Sequence, residues 1–117
     1  MGHVGGHGDV SKQVERALTM ALKAISVDET FGWSYVALGQ AYLVQNQHDK
    51  AVLAGRKAIA RQPNDADSYS SYGLILGYDG QYKTGIVALD SAIGLNPKFY
   101  NGPYLNIRGV IQILAGD

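Results

Sequence analysis

The sequence has no cysteine, only three prolines, two methionines and a single tryptophan. Without cysteine the chain forms no disulfide, performs no thiol chemistry and holds no zinc through sulfur, in whatever compartment it resides. It also lacks an excess of either charge. Ten Lys and Arg offset ten Asp and Glu, which removes the electrostatic basis for binding nucleic acid or an anionic membrane. No apolar run approaches the roughly 18 residues that a membrane-spanning helix requires. The opening residues MGHVGGHGDV have neither a basic segment nor an apolar stretch, so they do not form a secretory signal, and a cytoplasmic location is favoured. Residue 6 is Gly where N-myristoylation needs Ser or Thr.

What is present is globular. The chain is 117 residues long, 46% hydrophobic and 17% charged, the balance of a single domain with a modest core. Residues 1–9 are rich in Gly and His and are expected to be a flexible leader. From there the texture is helical. Val14, Leu18, Ala21, Leu22 and Ile25 recur at three- and four-residue steps and make one apolar stripe. Five further stretches of the same texture follow: WSYVALGQAYLV, HDKAVLAGRKAIA, DSYSSYGLILGY, YKTGIVALDSAI and GPYLNIRGVIQIL. Short polar or Gly/Pro breaks separate them, and no stretch alternates as a strand would. The chain is predicted to be all-α, with about six helices.

The segments repeat. Pro63 and Pro97, Tyr35 and Tyr69, Gly39 and Gly73, and Ala58 and Ala92 each stand 34 residues apart, and Ala17 and Ala24 precede Ala51 and Ala58 by the same step. Ala or Gly at a helix crossing lets two helices approach closely, so each unit is expected to form an antiparallel pair. Pro63 stops one helix and Asn64-Asp65 caps the next. Gly80 suits a left-handed cap between helices, with Asn46 its counterpart one period earlier. A 34-residue period with small residues at fixed positions and a closing proline resembles the tetratricopeptide repeat (TPR) family. Tyr35, Leu38, Gly39, Tyr42, Ala51, Ala58 and Pro63 carry the likeness in one unit; Tyr69, Tyr72, Gly73, Gly85, Leu89, Ala92 and Pro97 carry it in the next. Gly55 stands where the family prefers an aromatic, Leu76 where it prefers Tyr, and Gly85 replaces the usual Ala. The first of these leaves tight packing at Gly55 open. The resemblance implies a right-handed solenoid of antiparallel helix pairs, each with a first helix A and a second helix B. Its order here is B, A–B, A–B, A: a partial unit at 10–30, full units at 31–65 and 66–99, and a partial unit at 100–117. The junction NPKFYNGPYLNIRG is two residues longer than its predecessor, with Pro103 acceptable in the first helical turn. The insertion is expected to reshape that end of the array with Phe99, Tyr100 and Tyr104.

Enzymatic chemistry is not expected. His3 and His7 lie in the leader and His48 at a helix start, and none has a spacing that suggests a Ser/Asp partner. Asp28, Asp49, Asp65 and Asp79 fall at turns and caps, where carboxylates accept from free backbone N–H groups. GYDGQYKTG lacks the Gly-Lys-Thr adjacency of a phosphate loop, because Tyr82 precedes Lys83. Met1-Gly2-His3 has the nitrogen donors for square-planar copper or nickel, with His7 to assist. The leader nevertheless reads as a tail, and no metal or other cofactor is expected.

A protein or peptide partner is what the family resemblance implies. In that family the A helices line a concave groove. The matching positions are Trp33, Val36, Gln40 and Leu43, then Asp67, Ser70, Leu74 and Tyr78, then Asn106, Val110 and Ile113 with a two-residue shift. Members that clamp a C-terminal carboxylate use Lys, Asn and Arg where this chain has Val36, Gln40, Ser71, Pro103 and Ile107, so the clamp is missing. Self-association is a second expectation. Leu105, Ile107, Val110, Ile111, Ile113 and Leu114 surround much of the last helix. Asp117 and Gln13 both hold the sixteenth position of a unit, so a C-terminal A helix and another molecule's N-terminal B helix share a register. The face expected to join is Val14, Leu18, Leu105, Val110, Ile111 and Leu114. Polar capping units are missing, so the chain is expected to be a piece of a longer array. The rival to a binding scaffold is a regulatory or oligomerising segment of a larger bacterial enzyme or transcription regulator.

Overall fold

A computed structural model of the chain describes residues 5–99 and 102–116, with side chains described over 10–98 and 102–116. Among these residues the chain forms α1 (Gly5–Val27), α2 (Gly32–Val44), α3 (His48–Arg61), α4 (Ala66–Tyr78), α5 (Tyr82–Leu95) and α6 (Pro103–Leu114), with a 3₁₀ turn at Pro97–Phe99. Each helix packs on the next, and α2 on α4 and α4 on α6 besides. The result is a row of antiparallel pairs in which α2, α4 and α6 stand side by side as A helices, with α1, α3 and α5 behind them as B helices. The Cα radius of gyration is 14.9 Å, above the roughly 13 Å of a compact chain this long, as an open row requires.

Local chemistry sets the boundaries. Pro63 and Pro97 follow the ends of α3 and α5, and Pro103 opens α6, where a missing N–H costs nothing. Asp65 caps α4, its carboxylate accepting from the Ser68 N–H at 2.9 Å and the Ser68 hydroxyl at 2.6 Å. α2 ends at Asn46 (φ 59°) and α4 at Gly80 (φ 87°), the left-handed closures the sequence predicts. α1 starts at Gly5, inside the stretch 1–9 expected to be a flexible leader. Part of the expected leader is therefore helical. Extending an existing helix fixes one residue per hydrogen bond gained, so even weak helix formers are carried along.

Small residues hold the layers together. Ala51, Ala58 and Ala92 are fully or almost fully buried. A Cβ built on Gly73 would lie 2.9 Å from the Gly85 carbonyl oxygen, and one on Gly85 the same distance from the Gly73 oxygen. Gly55, whose packing the sequence leaves open, is buried. The aromatic missing from its own position arrives from α4, as Tyr72 lies where a Gly55 Cβ would stand, with Cδ1 at 2.6 Å. Leu76 is fully buried in a cluster with Ala51, Val52, Ile75 and Ala88.

The expected self-association face is corrected at two positions. Ile111, expected on an outward self-association face, is 0% exposed. It packs with Leu89, Ala92 and Tyr104 and presses on Gly77, because this side of α6 faces α4 and α5. Leu18, expected on the same face, turns inward onto Ala21, Leu38 and Ala54. Val14 and Val110 are half-buried, while Leu105 and Leu114 are exposed. Tyr104 is buried rather than displayed. Tyr100 and Asp117 lie outside the described residues, and the Phe99 side chain outside the described side chains.

Candidate protein-binding groove

The A helices α2 and α4 diverge enough on their common face to leave a cleft of about 300 Å³. One wall is α2, with Trp33, Val36, Gln40 and Leu43 at steps of three and four residues, the spacing of one helix face. The other is α4, with Asp67, Ser70, Ser71, Leu74 and Ile75, and Ile107 of α6 closes one side. Trp33 is 40% exposed at the start of α2, with an apolar ring open to solvent. Val36 and Ile75 are buried and form the floor.

The first seven expected groove positions, Trp33 through Leu74, all line this cleft. Tyr78 does not: it is the last residue of α4, 45% exposed and outside the cleft. Asn106, Val110 and Ile113 do not line it either. Their counterparts on α2 face the following A helix, so on α6 the same positions face away from α4. What α6 lends the cleft is Ile107, on the side toward α4. Ser71 and Ile75 do the same for α4. A cleft between two rods has two walls, and the family's groove positions describe only the forward-facing side of each helix. Ser71 and Ile107, two of the positions where a carboxylate clamp would stand, belong with Ile75 to the opposite wall.

The electrostatics are spare. Among the lining residues Asp67 alone carries a charge, and there is no Lys, Arg or His. The Tyr104 hydroxyl donates to Asp67 Oδ1 at 2.9 Å, and the Ser70 hydroxyl donates to the Asp67 carbonyl oxygen at 3.1 Å. Burial, and then the neighbouring Asp67 carboxylate, push the Tyr104 phenol up to about 12. Asp67 is thereby held in place by a tyrosine that stays protonated. The basic side chains lie elsewhere: Arg108 pairs with Asp90 at 2.8 Å, and Lys57 and Arg61 lie over the Tyr35 ring. Such a cleft can bury apolar side chains, accept N–H groups at Asp67 and Gln40, and repel a carboxylate.

His48, the first residue of α3, lies 3.7 Å from Asp79 at the end of α4. His3 and the side chain of His7 lie outside the described residues. Among the described residues no three His, Asp or Glu cluster as metal ligands, and no helix is long and apolar enough to cross a membrane.

A tetratricopeptide repeat model matches residues 34–65, and a second matches residues 54–86. The chain is also similar to the Cell division cycle protein 27 homolog of Caenorhabditis elegans, at 28% identity over 88 residues. That stretch is 75% of this chain and 11% of the relative, so the chain spans about a tenth of the length of the curated protein it matches.

Proposed function

This chain belongs to the tetratricopeptide repeat family, whose members generally mediate protein–protein interaction, and from that premise we propose that its α2–α4 cleft binds an extended or helical segment of a partner protein. The observation that carries the reading is the convergence of seven groove positions from two helices on one apolar, open cleft. The occupant is a segment without a terminal carboxylate anchor. It places an apolar side chain against Trp33, Leu43 and Leu74, takes hydrogen bonds from Gln40 and Ser71, and sets a donor or a cation beside Asp67. Nothing in this role calls for catalysis. The open outer faces of α1 and α6 favour a second reading, in which the segment helps to assemble a larger protein.

Trp33 supplies the assay, because it is the only tryptophan and it borders the cleft. Peptides selected from a displayed library should shift its emission on titration. Affinity should fall roughly 30-fold or more in Trp33→Ala or Leu74→Ala, the loss of about 2 kcal/mol usual for an anchor. Asp67→Asn should weaken peptides that carry Lys or Arg more than those that do not. Selected peptides that bind both alanine variants as well as the parent would overturn the assignment of this cleft.

A further inference from the structure

Both ends of the row leave a helix face uncovered, and the two faces match. Within the row each A helix packs its own B helix through a fixed set of positions. Gly39 sits against the Ala51 carbonyl and Ala54, a built Cβ lying 3.5 and 3.6 Å from them, and Gly73 sits closer against the Gly85 carbonyl at 2.9 Å and equally close to Ala88 at 3.6 Å. On α6 the same position is Gly109, and nothing lies within 4 Å of a Cβ built there. Leu105 and Ile113, one turn to either side, are 42% and 77% exposed, whereas their counterparts Tyr35 and Leu43 pack into the core. α6 also closes in the turn that leads from A to B elsewhere. Gly116 has φ 87° and donates its N–H to Ile113 at 3.0 Å, as Gly80 does to Gly77 and Asn46 to Leu43. On α1 the complementary set is open: Ala17, Met20 and Ala24 are exposed, while the matching Ala51, Ala54 and Ala58 are at most 2% exposed. Beside them α1 and α2 leave an apolar trough of about 290 Å³, walled by Val14, Ala17, Ala37, Ala41 and Val44. It occupies the place beside α1 and α2 that α2 itself occupies beside α3 and α4. Neither stripe carries a charge, so joining them buries no ion.

We infer that α6 of one molecule seats in the α1–α2 trough of a second copy of this chain, so that Gly109 meets Ala17 as Gly39 meets Ala51 and a repeat is completed between chains. The contact is heterologous: an A face meets a B face, never its own kind. Each molecule therefore keeps one open end after joining, and assembly continues as a filament or closes as a ring. A single seated helix is a smaller contact than a standard stable interface, so association is reversible and depends on concentration.

Sedimentation equilibrium on the full chain, from dilute solution up to the highest concentration it tolerates, decides the matter. The parent's mean mass should rise well above 12.5 kDa. Gly109→Glu and Ala17→Glu, both at open positions, should keep the helical circular dichroism of the parent, with a thermal midpoint no lower than the parent's, yet stay monomeric. An equimolar mixture of the two variants should form dimers and nothing larger, because each supplies the face that the other has lost. Three results would each overturn the inference: a parent that stays monomeric throughout, a Gly109→Glu protein that still associates through α1 alone, or a mixture that does not restore dimers.

Discussion

Gly85 offers the sharpest stability test, because helix propensity and packing geometry disagree there. Alanine is the family's usual residue at this position, and exchanging Gly for Ala within a helix ordinarily adds about 0.5–1 kcal/mol. In this chain a Cβ on Gly85 would stand 2.9 Å from the Gly73 carbonyl oxygen and 3.3 Å from the Gly77 nitrogen. Both are backbone atoms of α4, so no side chain can rotate aside. Relief requires α4 and α5 to separate, and overpacking of this kind costs about 1–3 kcal/mol. The net expectation is a loss of about 0–2 kcal/mol. Gly94, in the last turn of α5, has nothing within 4 Å of a built Cβ, so Gly94→Ala should gain about 0.4–1 kcal/mol. Urea unfolding followed by helical circular dichroism should separate the two variants by about 1–3 kcal/mol, with Gly85→Ala the weaker. If Gly85→Ala proved as stabilising as Gly94→Ala, the close approach of α4 and α5 through paired glycines would be wrong. The contrast is specific to this pair, since a Cβ on Gly39 would clear the Ala51 oxygen by 3.5 Å.

Two further predictions concern missing and buried hydrogen-bond partners. Phe31 is the N-cap residue of α2 and makes no side-chain cap, although its backbone is already extended; the Ser34 hydroxyl behind it is buried with no hydrogen-bond partner. Phe31→Asp would copy the Asp65–Ser68 arrangement and should add about 0.5–2 kcal/mol in urea unfolding, and an unchanged or lowered midpoint would refute the copy. For Tyr104, the folded phenol is raised to about 12 from its ordinary 10, so its stabilising contribution is complete below pH 10 and is lost as pH rises from 10 toward 12. The stability of the parent relative to Tyr104→Phe should thus hold steady between pH 7 and 9 and fall progressively from pH 10 toward 12. Of the eight tyrosines, the last to develop tyrosinate absorbance should be the one missing from that variant.

The reach of the sequence followed from what a repeat encodes. A period of 34 with Gly39, Gly73, Ala51 and Ala58 in fixed places determines which side of each helix faces its partner, and α2 to α5 follow it. The family resemblance, in the same register, implies Trp33 through Leu74 for a groove, and these seven positions line one cleft. The period does not encode which neighbours are present, and that is where Ile111, Leu18 and the three positions on α6 went astray. Ile111 is turned inward because α4 and α5 both pack on that side of α6. Nor does a repeat encode exchanges between units: at Gly55 the aromatic comes from Tyr72 one helix later, because the space belongs to both helices and either can fill it.

The junction before α6 shows the same trade between local and distant partners. α4 is anchored locally, Asp65 capping its first turn through Ser68. α6 begins after Gly102, which offers no side-chain cap, and with the two-residue insertion Tyr104 takes the place that Ser68 holds in α4. Instead of bonding to its own turn, Tyr104 reaches 2.9 Å across to Asp67, on the wall of the candidate groove. A helix start that lost its local cap is thus secured by a tertiary hydrogen bond, and that bond ends on the one charge lining the cleft. A ligand cation drawn to Asp67 and the docking of α6 consequently act on the same carboxylate. Peptide affinity and the stability of the last helix should therefore vary together in Asp67→Asn, whereas Trp33→Ala should alter affinity alone.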